Sequence, residues 1–460
     1  MSSRARAGRP RAPRLAAGGR VVYRGRRPMA RRLLLVSIDG LAAFYWRDPH
    51  ARMPTLRALA ERGVVAAGME TVFPSTTWPT HASLVTGVSP ARHGVAGNHV
   101  LNRATGRAED LTGDPLYDAT TLLRAPTLYD RAHGRGLRTA AVDWPCTRRA
   151  PTLDWNLPFF KDQAVFEAHT APAVWRELGE AGFPLDRQGE WAQLPKRFLK
   201  DAMVADAAVH VLRRHAPDVL LVHFLCTDSF QHLYGPRSPE AYWAIGYVDA
   251  CLGRVLAALG PEALDRDTVV CVVSDHGFLP VTREVRINVR LRQLGLLAVD
   301  ADGRIGPARA RLVMNHGGAY LYVLGDGDRE GTARDLAREL VGVPGVAGVW
   351  GPADYPALGL PLPGDNPLAG DLVLEAAPGF SFGDEARGDD VLGPPRYRGT
   401  HGHRPQHADN AAFFLAAGAG VRRGTEMAAI TSRDVAPTLG RLLGLDPGEV
   451  EGRVLAEALD

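Results

Sequence analysis

Seven side chains in this sequence have the types and the order that a site for two divalent metal ions and a nucleophile requires. Six can bind a metal through a carboxylate oxygen or an imidazole nitrogen, and one is a threonine that could attack. They are Asp39, Thr77, Asp228, His232, Asp275, His276 and His401. Together they favour phosphoryl transfer, because two cations about 3.5–4 Å apart stabilise both the attacking and the leaving oxygen of an in-line displacement.

The candidate nucleophile Thr77 lies in the segment FPSTTWPTHASLVTG, residues 73–87, which predicts a short helix. Pro79 suits the first turn and Gly87 suits the end of that helix, so Thr77 is expected just before the helix N-terminus. Free N–H groups and the helix dipole favour an anionic phosphate there. A bound metal ion would activate the hydroxyl group. The alternative interpretation is that Thr77 only caps the helix.

Four of the candidate ligands form two pairs. Asp228 and His232, in DSFQH, are four residues apart and could bind one ion from one face of a helical turn or from either side of a tight loop, with a surface pair as the alternative. Asp275 and His276, in SDHG, follow an apolar run. At the end of a strand they point to opposite sides, so they could serve two neighbouring ions, or one ion with help from other residues.

The last candidate ligand lies in a histidine-rich segment, GTHGHRPQH. Spacing alone does not choose among His401, His403 and His407, and a surface loop is the alternative. Mixed aspartate and histidine ligands suit zinc, with manganese or iron as alternatives. We therefore expect two divalent metal ions, with zinc preferred.

The composition is that of a globular protein, with 460 residues, 45% of them hydrophobic and 23% charged. The net charge of +3 depends on residues 1–32, which are rich in arginine and contain no acidic residue. We interpret residues 1–30 as a disordered arm, with Met29 as an alternative start, and expect no specific nucleic-acid binding. Contact of the arm with nucleic acid or anionic lipid is the alternative.

Cysteine usage and hydropathy bear on the compartment. The four cysteines have no CxxC spacing, which favours a reducing compartment over a disulfide framework. No run approaches the roughly 18 apolar residues of a membrane span. The apolar run that follows Arg31 and Arg32 is too short for an export signal, so we interpret it as a strand. These features predict a cytoplasmic protein without a membrane span.

Continuous apolar runs predict parallel strands that are buried on both faces of a sheet. The runs are Leu33–Ile38, Leu137–Val142, Val219–Cys226, Thr268–Ser274 and Ala411–Ala416. Helices are predicted between them at Met53–Arg62, Pro239–Leu259 and Asp434–Leu443. The alternation predicts a doubly wound α/β fold, with a mostly parallel central sheet and helices on both faces.

The predicted strands would bring the carboxylates together. Asp39, Asp228 and Asp275 each follow a predicted strand, and the carboxyl ends of parallel strands form a crevice that binds ligands. The region of about 281–400 is richer in Gly and Pro, and we expect a smaller inserted subdomain there. Leu321–Leu324 and Leu372–Glu375 could be its strands.

Five motifs in this order resemble those of the alkaline phosphatase superfamily and, within it, the nucleotide pyrophosphatase/phosphodiesterase branch. They are VSIDG at 36–40, TTWPTHASLVTGVSPARHGVAGN at 76–98, TDSFQHLYGP at 227–236, SDHGF at 274–278 and GTHGH at 399–403. The resemblance covers the chain from Leu33 to its C-terminus. It implies that residues 31–460 form a catalytic domain of this type.

The resemblance also implies a role for each site residue. The residues that match the ligands of one zinc ion are Asp39, Thr77, Asp275 and His276. Those that match the ligands of the other are Asp228, His232 and His401. Thr77 matches the nucleophile that forms a covalent phosphoryl-enzyme intermediate, and Asn98 matches an asparagine that donates to a phosphate oxygen. Trp78 matches an aromatic residue that packs on the substrate, with a core aromatic as the alternative.

The implied activity is hydrolysis of phosphodiester or pyrophosphate bonds in a nucleotide or another small phosphate diester. Phosphomonoesterases of the superfamily use extra cationic side chains, and one group has a lysine two residues from an arginine. The corresponding stretch here, DWPCTRRAP at 143–151, has no lysine, which favours diesters. A phosphomonoesterase or phosphonate hydrolase on the same scaffold is the alternative, since Arg148 or Arg149 could reach the site. His316, in MNHGG, is a further candidate substrate contact, and we interpret His81 as structural.

Overall fold

The computed structural model describes residues 30–113 and 117–460. Met29 and all of the arginine-rich arm except Ala30 lie outside the described residues, so the expectations about the arm and nucleic acid remain predictions.

Strands within the described residues are numbered in chain order. They are β1 Arg32–Ile38, β2 Gly63–Ala66, β3 Met69–Glu70, β4 His99–Asn102, β5 Arg107–Asp110, β6 Thr139–Val142, β7 Trp155–Leu157, β8 Val219–Phe224, β9 Thr268–Val273, β10 Leu279–Val285, β11 Leu297–Val299, β12 Ile305–Ala308, β13 Ala310–Asn315, β14 Gly318–Val323, β15 Val346–Trp350, β16 Leu372–Ala376, β17 Gly379–Phe382, β18 Leu392–Gly393, β19 Gly399–Thr400, β20 Phe414–Gly418, β21 Thr425–Met427 and β22 Ile430–Thr431.

The α-helices of the same described ranges follow in chain order. They are α1 Pro54–Ala60, α2 Thr77–Thr86, α3 Pro90–His93, α4 Ala119–Leu122, α5 Leu128–His133, α6 Gln163–His169, α7 Pro172–Glu180, α8 Gln188–Trp191, α9 Arg197–Arg214, α10 Cys226–Tyr234, α11 Pro239–Leu259, α12 Ala263–Arg266, α13 Ile287–Gln293, α14 Arg329–Leu340, α15 Tyr355–Leu358 and α16 Val435–Leu442.

The central sheet has eight strands in the order β21-β2-β20-β9-β1-β8-β6-β7. Strands β9, β1, β8, β6 and β7 are parallel to one another, whereas β20 is antiparallel to both β9 and β2. The predicted α/β fold with a mostly parallel sheet is therefore confirmed. The prediction of a parallel strand at Ala411–Ala416 was wrong, because a continuous apolar run reports burial on both faces but carries no information on strand direction.

Helices cover both faces of this sheet. Leu34 and Val36 of β1 belong to an apolar cluster that includes Val204 of α9 and residues of α11. The intervening Leu33 and Leu35 belong to a second cluster that includes residues of α2 and α16. Because successive side chains of a strand point to opposite faces, β1 packs against helices on either side.

Helix α11 is, by length and composition, apolar enough to cross a membrane. Its residues Ala244, Ile245, Val248 and Leu252 lie in the core against the sheet. Core helices of soluble proteins pass the same test, so α11 is weak evidence for a span. The absence of a membrane span and the cytoplasmic location remain predictions.

A second sheet lies within residues 281–400, with the order β13-β14-β16-β15 and antiparallel pairing. Leu321 of β14 pairs with Leu372 of β16, so strands form at both predicted positions. This sheet has an apolar cluster of its own, which includes Leu312 and Leu374. The assignment of domain boundaries remains a prediction.

The fold brings three carboxylates to one edge of the central sheet. Strand β1 lies between β8 and β9, and its parallel register places Ile38 beside Phe224 and Ser37 beside Val273. Asp39 directly follows β1, and Asp275 follows β9 after one intervening residue. Strand β8 ends at Phe224, two residues earlier than predicted, because α10 begins at Cys226 and carries Asp228 in its first turn.

Candidate active site

A cavity of about 260 Å³ lies at this edge of the sheet. The predicted site residues that line it are Asp39, Thr77, Trp78, Asn98, Asp228, His232 and His401. Asp275 and His276 are fully buried and do not line it. His276 Nε2 is 3.3 Å from Asp39 Oδ1, so His276 lies directly behind a residue of the cavity wall.

The first group of converging ligand atoms consists of Asp39, Asp275 and His276. His276 Nε2 also lies 3.4 Å from Asp275 Oδ2, while Asp275 Oδ1 accepts a hydrogen bond of 3.0 Å from the Gly40 N–H. Asp39 Oδ1, Asp275 Oδ2 and His276 Nε2 are buried and have no hydrogen-bond partner within the described residues. Buried polar atoms of this kind are costly unless they are paired or bind a cation, so the group fits a metal ion.

The second group is built around Asp228 on helix α10. Asp228 Oδ1 is 3.1 Å from His232 Nε2, one helical turn later, and 3.7 Å from His401 Nε2. The ring of His401 stacks on the ring of His276 at a centroid distance of 3.6 Å. The two groups are therefore immediate neighbours, as two ions that act on one phosphoryl group would require.

Hydrogen bonds to the backbone orient the three histidines. The Nδ1 atoms of His232, His276 and His401 lie 2.9, 3.1 and 2.9 Å from the carbonyl oxygens of Gly399, Gly277 and Ser75. A carbonyl oxygen only accepts, so Nδ1 carries a proton in each ring, and Nε2 offers its lone pair to a metal ion whenever the ring is neutral. Metal-binding histidines are commonly held in this way.

The structure distinguishes among the three histidines of the GTHGHRPQH segment. His407 Nε2 lies 2.9 Å from Glu375 Oε1. His403 is fully buried and its ring lies near that of His407, at a centroid distance of 5.6 Å. Of the three, only His401 contributes to a group of converging ligand atoms in the described part of the chain.

Burial and neighbouring charges together raise the pKa values of all three residues in the first ligand group. Burial, reinforced by the charge of Asp228, raises the pKa of Asp39. Burial and the charge of Asp39 raise the pKa of Asp275. Burial lowers the pKa of His276, but the carboxylates of Asp275 and Asp39 outweigh it and raise this pKa to about 9. These carboxylates thus attract positive charge, which a proton or a metal ion could supply.

Thr77 is the first residue of helix α2, and Thr76 occupies the N-cap position. The predicted position just before the helix was therefore wrong by one residue. Gly87 ends the helix as predicted, with φ of +73°. As the first helical residue, Thr77 has a backbone N–H without an acceptor inside the helix, so this group is available to an anion in the cavity.

Asn98 and Trp78 are linked by a hydrogen bond of 2.8 Å from the Trp78 N–H to Asn98 Oδ1. This bond assigns the amide orientation and leaves Nδ2, which has no partner among the described residues, as a donor in the cavity. Trp78 is 4% exposed and packs against Phe159 at a ring centroid distance of 5.4 Å. Trp78 is thus a core aromatic that also lines the cavity, and its substrate role remains a prediction.

Two histidines lie behind the first group: His223, which the sequence analysis did not identify, and His81, which it named without placing it beside the group. His223 of β8 has Nε2 3.3 Å from Asp39 Oδ2. His81, interpreted as structural, is fully buried, with Nδ1 2.8 Å from the Thr77 carbonyl oxygen and 3.8 Å from Asp275 Oδ2. A histidine inside the continuous apolar strand VLLVHF was the signal that could have identified His223.

Two cations at the cavity also escaped the sequence analysis. Arg197, the first residue of α9, has Nη1 3.1 Å from Asp228 Oδ2, and Lys161 lines the same cavity. The two arginines that were expected to be able to reach the site do not line it. Arg148 and Arg149 instead pair with Asp118, over 2.6 and 3.6 Å.

The chain is similar in sequence to several characterised and uncharacterised proteins. It is 26% identical over 251 residues to an uncharacterised pyrophosphatase/phosphodiesterase of Schizosaccharomyces pombe, which covers 54% of this chain and 45% of that protein. It is 25% identical over 244 residues to human ectonucleotide pyrophosphatase/phosphodiesterase family member 1, with coverage of 53% and 23%. With venom phosphodiesterase 2 of Crotalus adamanteus, identity is 24% over 250 residues and coverage is 53% and 26%. The matches thus span less than half the length of each relative.

The fold is similar to that of mouse ectonucleotide pyrophosphatase/phosphodiesterase 5. The TM-score is 0.69 at 20% sequence identity, with 93% of this chain and 100% of that chain covered. An inactive variant of the mouse protein in complex with AMP matches at the same TM-score and 19% identity, with coverage of 94% and 100%. The family described as type I phosphodiesterase / nucleotide pyrophosphatase matches residues 33–404. The resemblance seen in the motifs is confirmed, and the chain belongs to the type I phosphodiesterase/nucleotide pyrophosphatase family.

Proposed function

We propose that this protein is a hydrolase that uses two divalent metal ions to cleave phosphodiester or pyrophosphate bonds through a phosphothreonine intermediate. One observation carries the proposal: two groups of aspartate and histidine atoms meet at the stacked rings of His276 and His401, beside the cavity that Thr77 lines. Mixed oxygen and nitrogen ligands support zinc as the metal.

The residues that line the cavity have a role in each step of a two-step reaction. When bound, the two cations would lower the pKa of attacking groups and neutralise charge on the phosphoryl oxygens. Thr77 Oγ1 attacks phosphorus, the bond from phosphorus to the leaving oxygen breaks, the hydroxyl proton passes to the leaving oxygen, and Thr77 becomes phosphorylated. Asn98 Nδ2 and the Thr77 N–H donate to a nonbridging oxygen. Water then attacks phosphorus, the bond between Thr77 Oγ1 and phosphorus breaks, and a proton from the water passes to Thr77 Oγ1, which restores the hydroxyl group and releases phosphate or a phosphate monoester.

Nucleotides and other small phosphate diesters are the proposed substrates. The names of the relatives describe pyrophosphatases and phosphodiesterases, and the mouse structural neighbour binds AMP in its inactive variant. The cavity of about 260 Å³ next to Trp78 can hold a phosphate together with part of its organic group.

A phosphomonoesterase or phosphonate hydrolase is the second candidate, and the cavity gives a specific reason for it. A dianionic phosphate needs more positive charge than a diester does. Arg197 and Lys161 line the cavity and could supply that charge in place of the lysine that is missing from DWPCTRRAP.

The two candidate functions differ in the charge of the phosphate group that the enzyme would prefer. The experiment compares kcat/KM for bis-p-nitrophenyl phosphate with kcat/KM for p-nitrophenyl phosphate, in protein reconstituted with zinc and in protein stripped with a chelator. We expect the diester to be preferred and both activities to depend on metal. A large preference for the monoester would favour the second candidate, and full activity in the stripped protein would contradict both.

A further inference from the structure

One turn of the second sheet reaches the cavity. Strands β13 and β14 are joined at the pair Asn315 and Gly318, and His316 lies at the tip of this turn. The Asn315 amide exchanges two hydrogen bonds with the His99 backbone, of 2.8 and 3.0 Å. The Gly317 N–H donates to the carbonyl oxygen of His401 over 2.7 Å. The turn is therefore fixed on both sides against the proposed metal site.

The imidazole of His316 faces the second ligand group. One of its ring nitrogens lies within 4.8 Å of the ligand nitrogens of His232 and His401. Its ring stacks on that of His232 at a centroid distance of 4.8 Å and lies 4.4 Å from that of His401. Neither ring nitrogen of His316 has a hydrogen-bond partner within the described residues, although the side chain lines the cavity.

The backbone at His316 lies in the left-handed region, which residues other than glycine seldom adopt. His316 has φ of +63°, a conformation that glycine or asparagine adopts more easily. The flanking Gly317 has no room for a side chain, since a Cβ atom there would lie 2.2 Å from the ring of His403. His316 thus occupies a backbone conformation that is costly for a residue other than glycine, and one of its ring nitrogens lies beside the nitrogens of His232 and His401. Such a conformation is often found at a functional site.

We propose that His316 is a fourth protein ligand of the ion held by Asp228, His232 and His401. This inference rests on the proposed two-metal function and extends it. The ion would be held by one carboxylate and three imidazoles, with one imidazole supplied by the second sheet. Metal binding would then connect the turn at His316 to the central sheet, because a single ion would bind residues of both.

The first test counts the imidazoles bound to metal. Protein with isotopically labelled histidine is loaded with cadmium, and nuclear magnetic resonance counts the imidazoles that couple to the metal. The variant is His316→Asn, since asparagine tolerates the left-handed backbone and cannot replace the imidazole. His99→Asn is the matched control, because His99 lines the same cavity but belongs to no group of converging ligand atoms among residues 30–113 and 117–460. We expect one coupled imidazole fewer in His316→Asn alone, and equal counts in all three proteins would overturn the proposal.

The second test measures zinc affinity by competition with a chelator. We expect His316→Asn to weaken one of the two zinc sites by at least about tenfold, since even the partners of metal ligands contribute that much. His99→Asn should leave both affinities unchanged. Two intact affinities in His316→Asn would contradict the role of His316 but leave the proposed function standing. Wild-type protein that binds no divalent metal would instead contradict the proposed function itself.

Discussion

His401 Nδ1 lies 2.9 Å from the carbonyl oxygen of Ser75, although 326 residues separate them in the chain. Ser75 precedes Thr77 by two residues, so this hydrogen bond fixes a candidate metal ligand relative to the candidate nucleophile. The proton on Nδ1 leaves Nε2 free to face Asp228. One contact thus connects the segment that would attack phosphorus to the segment that would hold the metal.

Thr77→Ala tests the nucleophile. The substitution removes the attacking oxygen but leaves the aspartate and histidine ligands intact. We expect kcat to fall by at least about 10³-fold while the protein still binds metal. Thr77→Ser is the control, because it retains a hydroxyl group and should retain part of the activity. Rates for Thr77→Ala close to those of the wild type would show that another group attacks.

Asp228→Ala tests the second metal site. The Asp228 carboxylate lies next to both His232 and His401, so its loss should release the ion that these residues would hold. We expect elemental analysis to show a fall from two bound ions to one. The control is Asp110→Ala, since Asp110 lines the cavity without belonging to either group. An unchanged stoichiometry in Asp228→Ala would rule out its role as a ligand.

Asn98→Asp tests the proposed hydrogen bond to the phosphate. The carboxylate still accepts from the Trp78 N–H, so the local structure is kept, but the Nδ2 donor is lost and a negative charge is added. Loss of one donor to a developing oxyanion typically lowers kcat by about 10²–10³-fold, and we expect a loss of at least this size. Circular dichroism and thermal unfolding confirm that the fold is retained. Wild-type kcat in Asn98→Asp would contradict the role.

Arg197→Met tests how the cavity distinguishes phosphate charge. If Arg197 binds a nonbridging oxygen, its loss should lower kcat/KM for p-nitrophenyl phosphate more than for the bis-p-nitrophenyl diester, because the monoester carries more charge. Lys161→Met is measured in parallel, since Lys161 is paired with Asp110 over 3.0 Å and not with a candidate ligand. Equal losses on both substrates would indicate that Arg197 only supports Asp228.

His93→Gln tests a pH effect on stability away from the metal site. The Val95 N–H donates to His93 Nδ1 over 3.1 Å, and His93 Nε2 lies 3.0 Å from Ser83 Oγ, so the buried ring is neutral. Burial lowers the pKa of His93 to about 3, below its ordinary value of 6.5. The unfolded chain therefore binds a proton below pH 6.5 that the folded protein excludes, and stability is lost as pH falls from 6.5 towards 3.

We expect the His93→Gln variant to show a weaker dependence of unfolding free energy on pH in this window. The difference in slope should be at most about 1.4 kcal/mol per pH unit. Urea unfolding at several pH values measures it. Parallel curves for variant and wild type would mean that His93 already takes up a proton in the folded protein.

Local sequence patterns predicted the bounds of helix α11 but not the direction of one strand. The predicted bounds of this helix, Pro239–Leu259, agree with the structure, because Ser238 and Gly260 give local signals at both ends and Ser238 Oγ accepts from the Ala241 N–H. The strand near Ala411–Ala416 was found but its direction was wrong, since direction depends on a neighbour, β9, that is distant in sequence.

The sequence by itself determined the fold class, the family and the set of candidate ligands, because these depend on residue types, apolar runs and motif order. Only the tertiary structure showed that His401, which the motifs match, reaches the site while His403 and His407 of the same segment do not. It also brought Arg197 and His223 to the cavity or its wall, and it placed His316, a candidate substrate contact from the sequence, beside candidate metal ligands. The physical reason is that ligand distances of about 3–4 Å are set by sheet register and by contacts between segments hundreds of residues apart. Spacing along the chain does not encode such contacts.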